Sequence, residues 1–183
     1  MNDWDLSHRT GENHDSGERT GTLPFMALDL LDEKAVAGEK KRLYRHDLEG
    51  LIWILPWVFL QYENGRLLHP ALLAWCTGDH ATCLAHKSHF LRTIPDVEPL
   101  PFWSTEWDMA YAALEWIRNR YQAQEERAFS NKRSHTSEPF PEPHPKDVYH
   151  SFLGQLSNAW VEYPRLEELM RELEMVPDEL TNP

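Results

Sequence analysis

Cysteine is scarce in this chain, because Cys76 and Cys83 are the only two among 183 residues. Two cysteines are too few for the disulfide framework that holds small secreted domains together. The residues that follow Met1 do not form a basic and apolar leader, so we expect no signal peptide. We therefore expect a soluble intracellular protein, in the cytoplasm or the nucleus.

Basic residues are also in short supply, with 18 lysines and arginines against 30 acidic residues and a formal net charge of −12. Nucleic acids and anionic membrane surfaces are bound by clustered basic side chains, and the longest basic run here is Lys40-Lys41-Arg42. A membrane span needs ~20 apolar residues, and the most apolar run, from Leu51 to Leu60, is about half as long. We therefore expect neither a nucleic-acid partner nor a membrane partner.

Apolar and aromatic residues are plentiful, with 41% hydrophobic residues and eight tryptophans. A chain of this length can bury them in one packed domain. They recur mostly at helical spacing and almost no segment alternates like a strand, which predicts a mainly α fold. The segment after Asp47 is apolar on all faces, as in a buried central helix, and Pro56 should divide it into two halves. Further helices are predicted at about 69–76, at about 79–91, after Ser104 or Thr105, and after Pro164.

Three short segments carry chemical information, and they occur in a meaningful order. The first is Asn-Asp-Trp-Asp-Leu-Ser at 2–7, and the second is Thr-Gly-Thr-Leu-Pro-Phe-Met-Ala-Leu-Asp at 20–29. The third is Tyr-Arg-His-Asp-Leu-Glu-Gly-Leu-Ile-Trp at 44–53. Together they resemble fungal-type protein kinases, in which such segments are the metal-binding motif, the end of the activation segment and the start of the central helix.

The resemblance implies a role for four residues. Asp3 matches the acid that holds Mg²⁺ on the ATP phosphates, for which a carboxylate suits a small, hard cation. Thr22 matches the threonine of the protein-substrate platform. Asp29 matches an acid that pairs with a buried arginine, although the family has glutamate there, and Asp47 matches the acid that braces the catalytic loop. Gly50 also departs from the family, which has serine at that position.

The fold implied by the resemblance is an incomplete protein-kinase-like C-terminal lobe, without the N-lobe and without the catalytic loop. Its parts would be an activation-segment-like region at 1–33, a helical lobe at 34–129, a Pro-rich loop at 130–146 and C-terminal helices at 147–183. The activity of the family is ATP-dependent phosphorylation of protein serine or threonine. We expect this chain alone to be inactive and to bind neither Mg²⁺ nor ATP, with a protein substrate or protein partner.

The incomplete lobe also implies two structural consequences. Part of the surface formed by Trp53, Ile54 and Trp57 should be under-covered or should bind a partner, because the helix that covers it in the family is missing. Asp47 should relax toward solvent, since the catalytic loop that would bind it is missing and an unpaired buried carboxylate is costly.

Two alternatives and one modification stay open at this point. A non-catalytic interaction module could bind proteins through the exposed helix face and the Pro-rich loop. A zinc-binding helical protein is suggested by a cluster of tetrahedral-type ligands: Cys76, His80, Cys83 and His86 or His89. Five hydroxyls lie where activation segments are phosphorylated, namely Ser7, Thr10, Ser16, Thr20 and Thr22. A phosphate there would need an arginine partner, for which the candidates are Arg9, Arg19 and Arg45.

Overall fold

The structure is a computed structural model, and it describes residues 22–76, 78–134 and 142–160. The fold is mainly helical, as predicted. Seven α-helices and one short hairpin follow each other along the described chain: α1 (Leu28–Leu31), α2 (Glu33–Val36), α3 (Tyr44–Ile52), α4 (Ile54–Phe59), β1 (Tyr62–Glu63), β2 (Arg66–Leu67), α5 (His80–Thr93), α6 (Trp107–Ser134) and α7 (Pro145–Trp160). Short 3₁₀ turns lie between them, at Leu23–Phe25, Leu73–Trp75, Ile94–Asp96 and Pro101–Trp103.

The predicted division of the central apolar segment is confirmed, because the helix is interrupted at Trp53 between α3 and α4. Pro56 is the third residue of α4. Amide groups in the first turn of a helix have no partner within that helix, so proline is tolerated there. The sequence places the proline where a new helix begins rather than inside a continuous one.

The prediction of an under-covered Trp53 face is wrong for Trp53, which has no exposed surface. Its indole contacts Trp75 edge to face, with ring centroids 5.2 Å apart, and Phe90 of α5 lies 6.4 Å away. The 3₁₀ turn at Leu73–Trp75 and α5 therefore provide the cover. Only Ile54, at 40%, stays open on this face, with the neighbouring Leu51 at 63%.

The helix predicted at about 69–76 is not formed, and Gln61 explains the difference. The Gln61 carbonyl accepts hydrogen bonds from the amides of Leu68 and His69, and its side-chain oxygen accepts one from Leu72. These bonds hold the segment after the hairpin against Gln61, and within the predicted range only the 3₁₀ turn at Leu73–Trp75 is helical. The preceding hairpin turns at Asn64-Gly65, whose φ angles of 49° and 74° fit a tight two-residue turn.

The helix predicted at about 79–91 is confirmed as α5, with Asp79 accepting a hydrogen bond from the Thr82 amide at its start. The long helix predicted after Ser104 or Thr105 is confirmed as α6. It packs along α7, and both helices extend into the range 130–146 that was predicted as a loop. The helix predicted after Pro164 lies outside the described residues.

Within the described residues, no helix is both long and apolar enough to cross a membrane.

Candidate functional site

The platform segment, residues 22–31, comprises the 3₁₀ turn at Leu23–Phe25 and helix α1. It lies directly against α3 at Gly50, where an added Cβ would be only 2.8 Å from the Phe25 carbonyl oxygen. Real Cβ atoms essentially never come so close to backbone oxygen. The absence of a side chain at position 50 therefore allows the two backbones to touch.

Lys87 of α5 fastens the first half of the platform segment. Its Nζ donates hydrogen bonds to the carbonyl oxygens of Pro24, at 3.1 Å, and Met26, at 2.5 Å. It also lies 4.1 Å from the centre of the Trp53 ring, a distance typical of a cation–π contact. The residue has no exposed surface. One buried ammonium group therefore satisfies two carbonyls of a segment with little regular structure of its own.

Glu49 of α3 and Tyr121 of α6 fasten the second half of the segment. Glu49 Oε1 accepts a hydrogen bond from the Leu28 amide at 2.8 Å, at the start of α1. Its Oε2 accepts a hydrogen bond of 2.9 Å from the Tyr121 hydroxyl, and that hydroxyl accepts one of 3.1 Å from the Asp29 amide. We call Glu49, Lys87 and Tyr121 the anchor cluster, since together they bind the backbone of residues 24–29.

The anchor cluster is electrostatically unusual because it is deeply buried. Burial lowers the pKa of Lys87 to about 7, against the attraction of Glu49. Burial likewise raises the pKa of Glu49, against the attraction of Lys87 and the hydrogen bonds from Leu28, Trp53 and Tyr121. The pKa of Tyr121 is raised by burial and by the nearby carboxylate of Glu49. Hydrogen bonds to backbone groups compensate for the cost of placing these side chains in the interior.

Asp29 pairs with a buried arginine, Arg45 of α3, at 2.5 Å. Burial opposes the ionisation of Asp29, but neighbouring His46 and the Arg45 guanidinium outweigh it and hold the pKa of this carboxyl well below its usual range. His46 Nε2 is 3.7 Å from the carboxylate and Lys40 Nζ is 3.6 Å from it. The arginine contact is therefore the strongest, and the shorter side chain of aspartate is long enough to make it.

A second acid reaches Arg45 from the other side. Glu142, just before α7, accepts a hydrogen bond from Arg45 Nε at 2.8 Å and another from Arg120 Nη2 of α6 at 3.1 Å. We call Asp29, Arg45, Arg120 and Glu142 the arginine cluster. It connects the platform segment, α3, α6 and the start of α7.

A groove of about 850 Å³ runs beside the end of the platform segment, between α1–α2 and the first half of α5. Leu31 and Leu84 contribute apolar surface to it, and Glu33, Lys34 and Asp79 contribute charged side chains. The groove is open to solvent, and it begins at Leu31, where the platform segment ends.

The predicted site residues do not converge on one point. Thr22 is exposed at the start of the first 3₁₀ turn and makes no side-chain capping bond. Asp47 is exposed, as expected, with its side chain 52% accessible and paired with Arg42 at 2.6 Å. Asp3 lies outside the described residues, as do Ser7, Thr10, Ser16, Thr20, Arg9 and Arg19.

The candidate zinc ligands do not form a cluster in the described part of the chain. There, no group of three or more His, Cys, Asp or Glu side chains is arranged to hold a metal ion. Cys76 is exposed and Cys83 is buried, with its Sγ 3.5 Å from the Leu23 carbonyl oxygen. Burial raises the pKa of the Cys83 thiol, which disfavours the thiolate that zinc binds. The described residues therefore do not bring the candidate zinc ligands together.

Glu49, Lys87 and Tyr121 were not among the functional residues predicted from the sequence. Glu49 and Lys87 carry a usable signal, because each is a charged residue among apolar neighbours within a predicted helix. A charged side chain on such a face is rarely buried without a partner. For Tyr121, nothing in the local sequence indicates that its hydroxyl has two partners.

The fold and site together define a mainly helical protein that anchors an irregular segment through buried polar side chains. Residues 1–59, about a third of the chain, match the family described as fungal protein kinase. The predicted relationship to this family is therefore confirmed over those residues. Neither the comparison with curated proteins nor the one with solved structures finds a match.

Proposed function

We propose that this chain forms the substrate-side part of a protein-kinase-like C-terminal lobe, in which the platform segment positions a protein substrate for phosphorylation of serine or threonine. One observation carries the proposal: the segment that matches the kinase family is anchored by residues beyond the match. Lys87 and Tyr121 lie after residue 59, yet they satisfy the backbone of residues 24–29. The rest of the chain therefore serves the matched segment.

In this proposal the chemistry of phosphoryl transfer is not carried out by the described residues. Asp29 and Asp47 are both paired with arginines, so neither is free to hold a metal ion. Asp3 is the single residue matched to a Mg²⁺ ligand, and one carboxylate without phosphate is a poor Mg²⁺ site. We therefore propose that this chain alone neither binds Mg²⁺-ATP appreciably nor transfers phosphate.

Nucleotide binding tests the second part of the proposal. Calorimetric titration of the chain with Mg²⁺-ATP should give no measurable binding, and labelled ATP should transfer no phosphate to serine or threonine peptides. The control is Asp3→Asn. Magnesium-dependent ATP binding by the parent chain that is lost in this variant would show that the chain holds the nucleotide itself.

Peptide binding tests the platform. An array of serine- and threonine-containing peptides should include sequences that bind the chain. Gly50→Ser, which displaces the platform segment from α3, should weaken the binding of these peptides. Gly154→Ala is a matched control, because an added Cβ at that position meets nothing within 4 Å. Equal binding by both variants would contradict a role for the platform.

A second function, the non-catalytic interaction module, is favoured by the exposed side chains of Leu51 and Ile54 on α3 and α4. The two proposals differ in which substitution removes protein binding. A module that uses the exposed face should lose binding in Leu51→Asp and keep it in Gly50→Ser. A platform should show the opposite result.

A further inference from the structure

The arginine cluster has the composition of an anion-binding site. The side chains of Arg45 and Arg120 are only 6% and 12% exposed, whereas that of Glu142 is 37% exposed. Both arginines donate to the same oxygen of Glu142, Oε1. The acid is therefore the most accessible member of the cluster, and it lies between two guanidinium groups that hold their position in the interior.

One donor of this cluster is left over. Arg45 Nη1 is buried and has no hydrogen-bond partner within the described part of the chain. A buried unsatisfied donor costs about 1–3 kcal/mol, and more when it belongs to a charged group. Arg45 already binds Asp29 through Nη2 and Glu142 through Nε. A ligand with more acceptor oxygens than a carboxylate could reach the third nitrogen as well.

The balance of charge also favours a further anion. Burial lowers the pKa of Arg120, and the nearby positive charge of Arg45 lowers it further. Two guanidinium groups that repel each other are stabilised by added negative charge. Asp29 is the main compensating charge for Arg45, whereas Glu142 is the main one for Arg120, so an anion at the position of Glu142 acts chiefly on Arg120.

The site has a route to the surface. Arg120 also lines a cavity of about 360 Å³ between α6 and α7. Asn119, Ser151 and Gln155 supply hydrogen-bonding groups to its wall, and Asp147 supplies a negative charge that opposes anion entry on that side. A ligand could therefore approach Arg120 through a polar opening, with Glu142 as the group it replaces.

We propose that Arg45 and Arg120 form a binding site for a phosphate monoester, the group carried by phosphoserine and phosphothreonine, and that Glu142 fills it in this structure as an internal substitute. A phosphate presents three oxygens and about two negative charges, compared with two oxygens and one charge for a carboxylate. Guanidinium groups bind such oxygens in pairs, through hydrogen bonds stronger than those between neutral groups. The site does not depend on the kinase relationship, and binding there would release the start of α7 from α3.

The test uses the full chain, inorganic phosphate and N-acetyl-phosphoserine methylamide, with the unphosphorylated serine compound as a blank. Glu142→Ala removes the internal competitor. If Glu142 occupies the site more than about nine-tenths of the time, its removal should tighten phosphate binding by about tenfold or more. The double variant Glu142→Ala with Arg120→Gln should lose this binding again.

The matched control is Glu115→Ala, which makes the same change in net charge by removing the partner of Arg118, a half-buried arginine on α6. It should bind phosphate as the parent chain does. Tighter binding in Glu142→Ala than in Glu115→Ala supports the site, and equal binding overturns it. Equal affinity for phosphate and the phosphoserine compound assigns recognition to the phosphate alone, while preference for the compound assigns it to a phosphorylated residue. Binding of the blank would contradict both.

A second measurement does not depend on how the variants fold. In the parent chain, the side-chain Nε–H signals of Arg45 and Arg120 should move on addition of phosphate and stay in place with chloride at the same ionic strength. Signals that respond equally to both salts would show screening instead of binding, and would overturn the proposal.

Discussion

Lys87→Met is the sharpest perturbation of the anchor cluster, because it keeps the length of the side chain and removes its donors. The substitution leaves the carbonyl oxygens of Pro24 and Met26 without their partner. It also removes the ammonium group above the Trp53 ring and the positive charge near Glu49. Methionine retains most of the apolar contacts of the lysine stem, so the loss is mainly polar.

The magnitude follows from these lost interactions. Each buried carbonyl left unsatisfied costs about 1–3 kcal/mol, and a desolvated cation–π contact contributes about 2 kcal/mol. The substitution also removes a positive charge that attracts Glu49 through the interior. These contributions overlap, so we expect the free energy of unfolding to fall by about 3–5 kcal/mol. Glu49→Gln in the same chain should recover part of this loss, because no carboxylate is then left unpaired.

Urea unfolding followed by tryptophan fluorescence measures the effect, and Lys34→Met is the control. Lys34 is exposed on α2, so its replacement should change the free energy of unfolding by less than about 0.5 kcal/mol. Hydrogen exchange adds a local readout, since the amide of Leu28 should lose protection in Lys87→Met. A change in unfolding free energy below about 1 kcal/mol would refute the assignment of Lys87 as the anchor.

The lowered pKa of Lys87 also predicts a dependence on pH. Between pH 7 and pH 10.5 the unfolded chain retains a proton on this lysine that the folded chain has released. The free energy of unfolding should therefore rise with pH across that window. Glu49, with its raised pKa, acts in the opposite direction as pH rises above about 4.5. Urea midpoints measured through this window should show a rise that is absent in Lys87→Met.

Further predictions concern Gly50, Asp29 and Cys83. Gly50→Ala should lower the free energy of unfolding by about 1–3 kcal/mol through overpacking, whereas Gly154→Ala, inside α7, should be neutral or stabilising in the same urea assay. Asp29→Asn should cost about 3 kcal/mol, because it removes the closer of the two carboxylates that compensate the buried charge of Arg45. Asp47→Asn at the surface should cost less than about 1 kcal/mol. In the parent chain, the contribution of Asp29 should be present above its unfolded pKa near 3.8 and lost as pH falls below it. Cys83 should react with a thiol reagent only as the chain unfolds, while the other cysteine reacts at once; immediate reaction of both would contradict its burial.

Much of the secondary structure could be predicted from the sequence, because local patterns of residues determine it. The apolar period predicted α5 and α6, and Pro56 predicted the division between α3 and α4. Of the helix predicted at about 69–76 only a 3₁₀ turn at Leu73–Trp75 forms, in a segment whose amides at His69 and Leu72 bond to Gln61 on the other side of the hairpin. Local propensity cannot include a competing partner supplied from elsewhere in the fold.

The family relationship was also available from the sequence, because it depends on short strings in a fixed order. Those strings predicted that Asp29 pairs with a buried arginine, but they did not identify which arginine. The structure provides Arg45, which lies only 16 residues further along the chain. The same strings drew attention to Asp47, whereas the buried acid of this helix is Glu49.

The sequence by itself determined the mainly helical character, the helix boundaries set by proline and capping residues, and the relationship of the first third of the chain to fungal protein kinases. The tertiary structure alone decided which charged residues are buried and what they bind. Met26 and Lys87 are separated by 61 residues, Glu49 and Tyr121 by 72, and Arg45 and Glu142 by 97. A buried polar group is stable only when its partner arrives from a distant element, and packing of those elements, not local pattern, selects that partner.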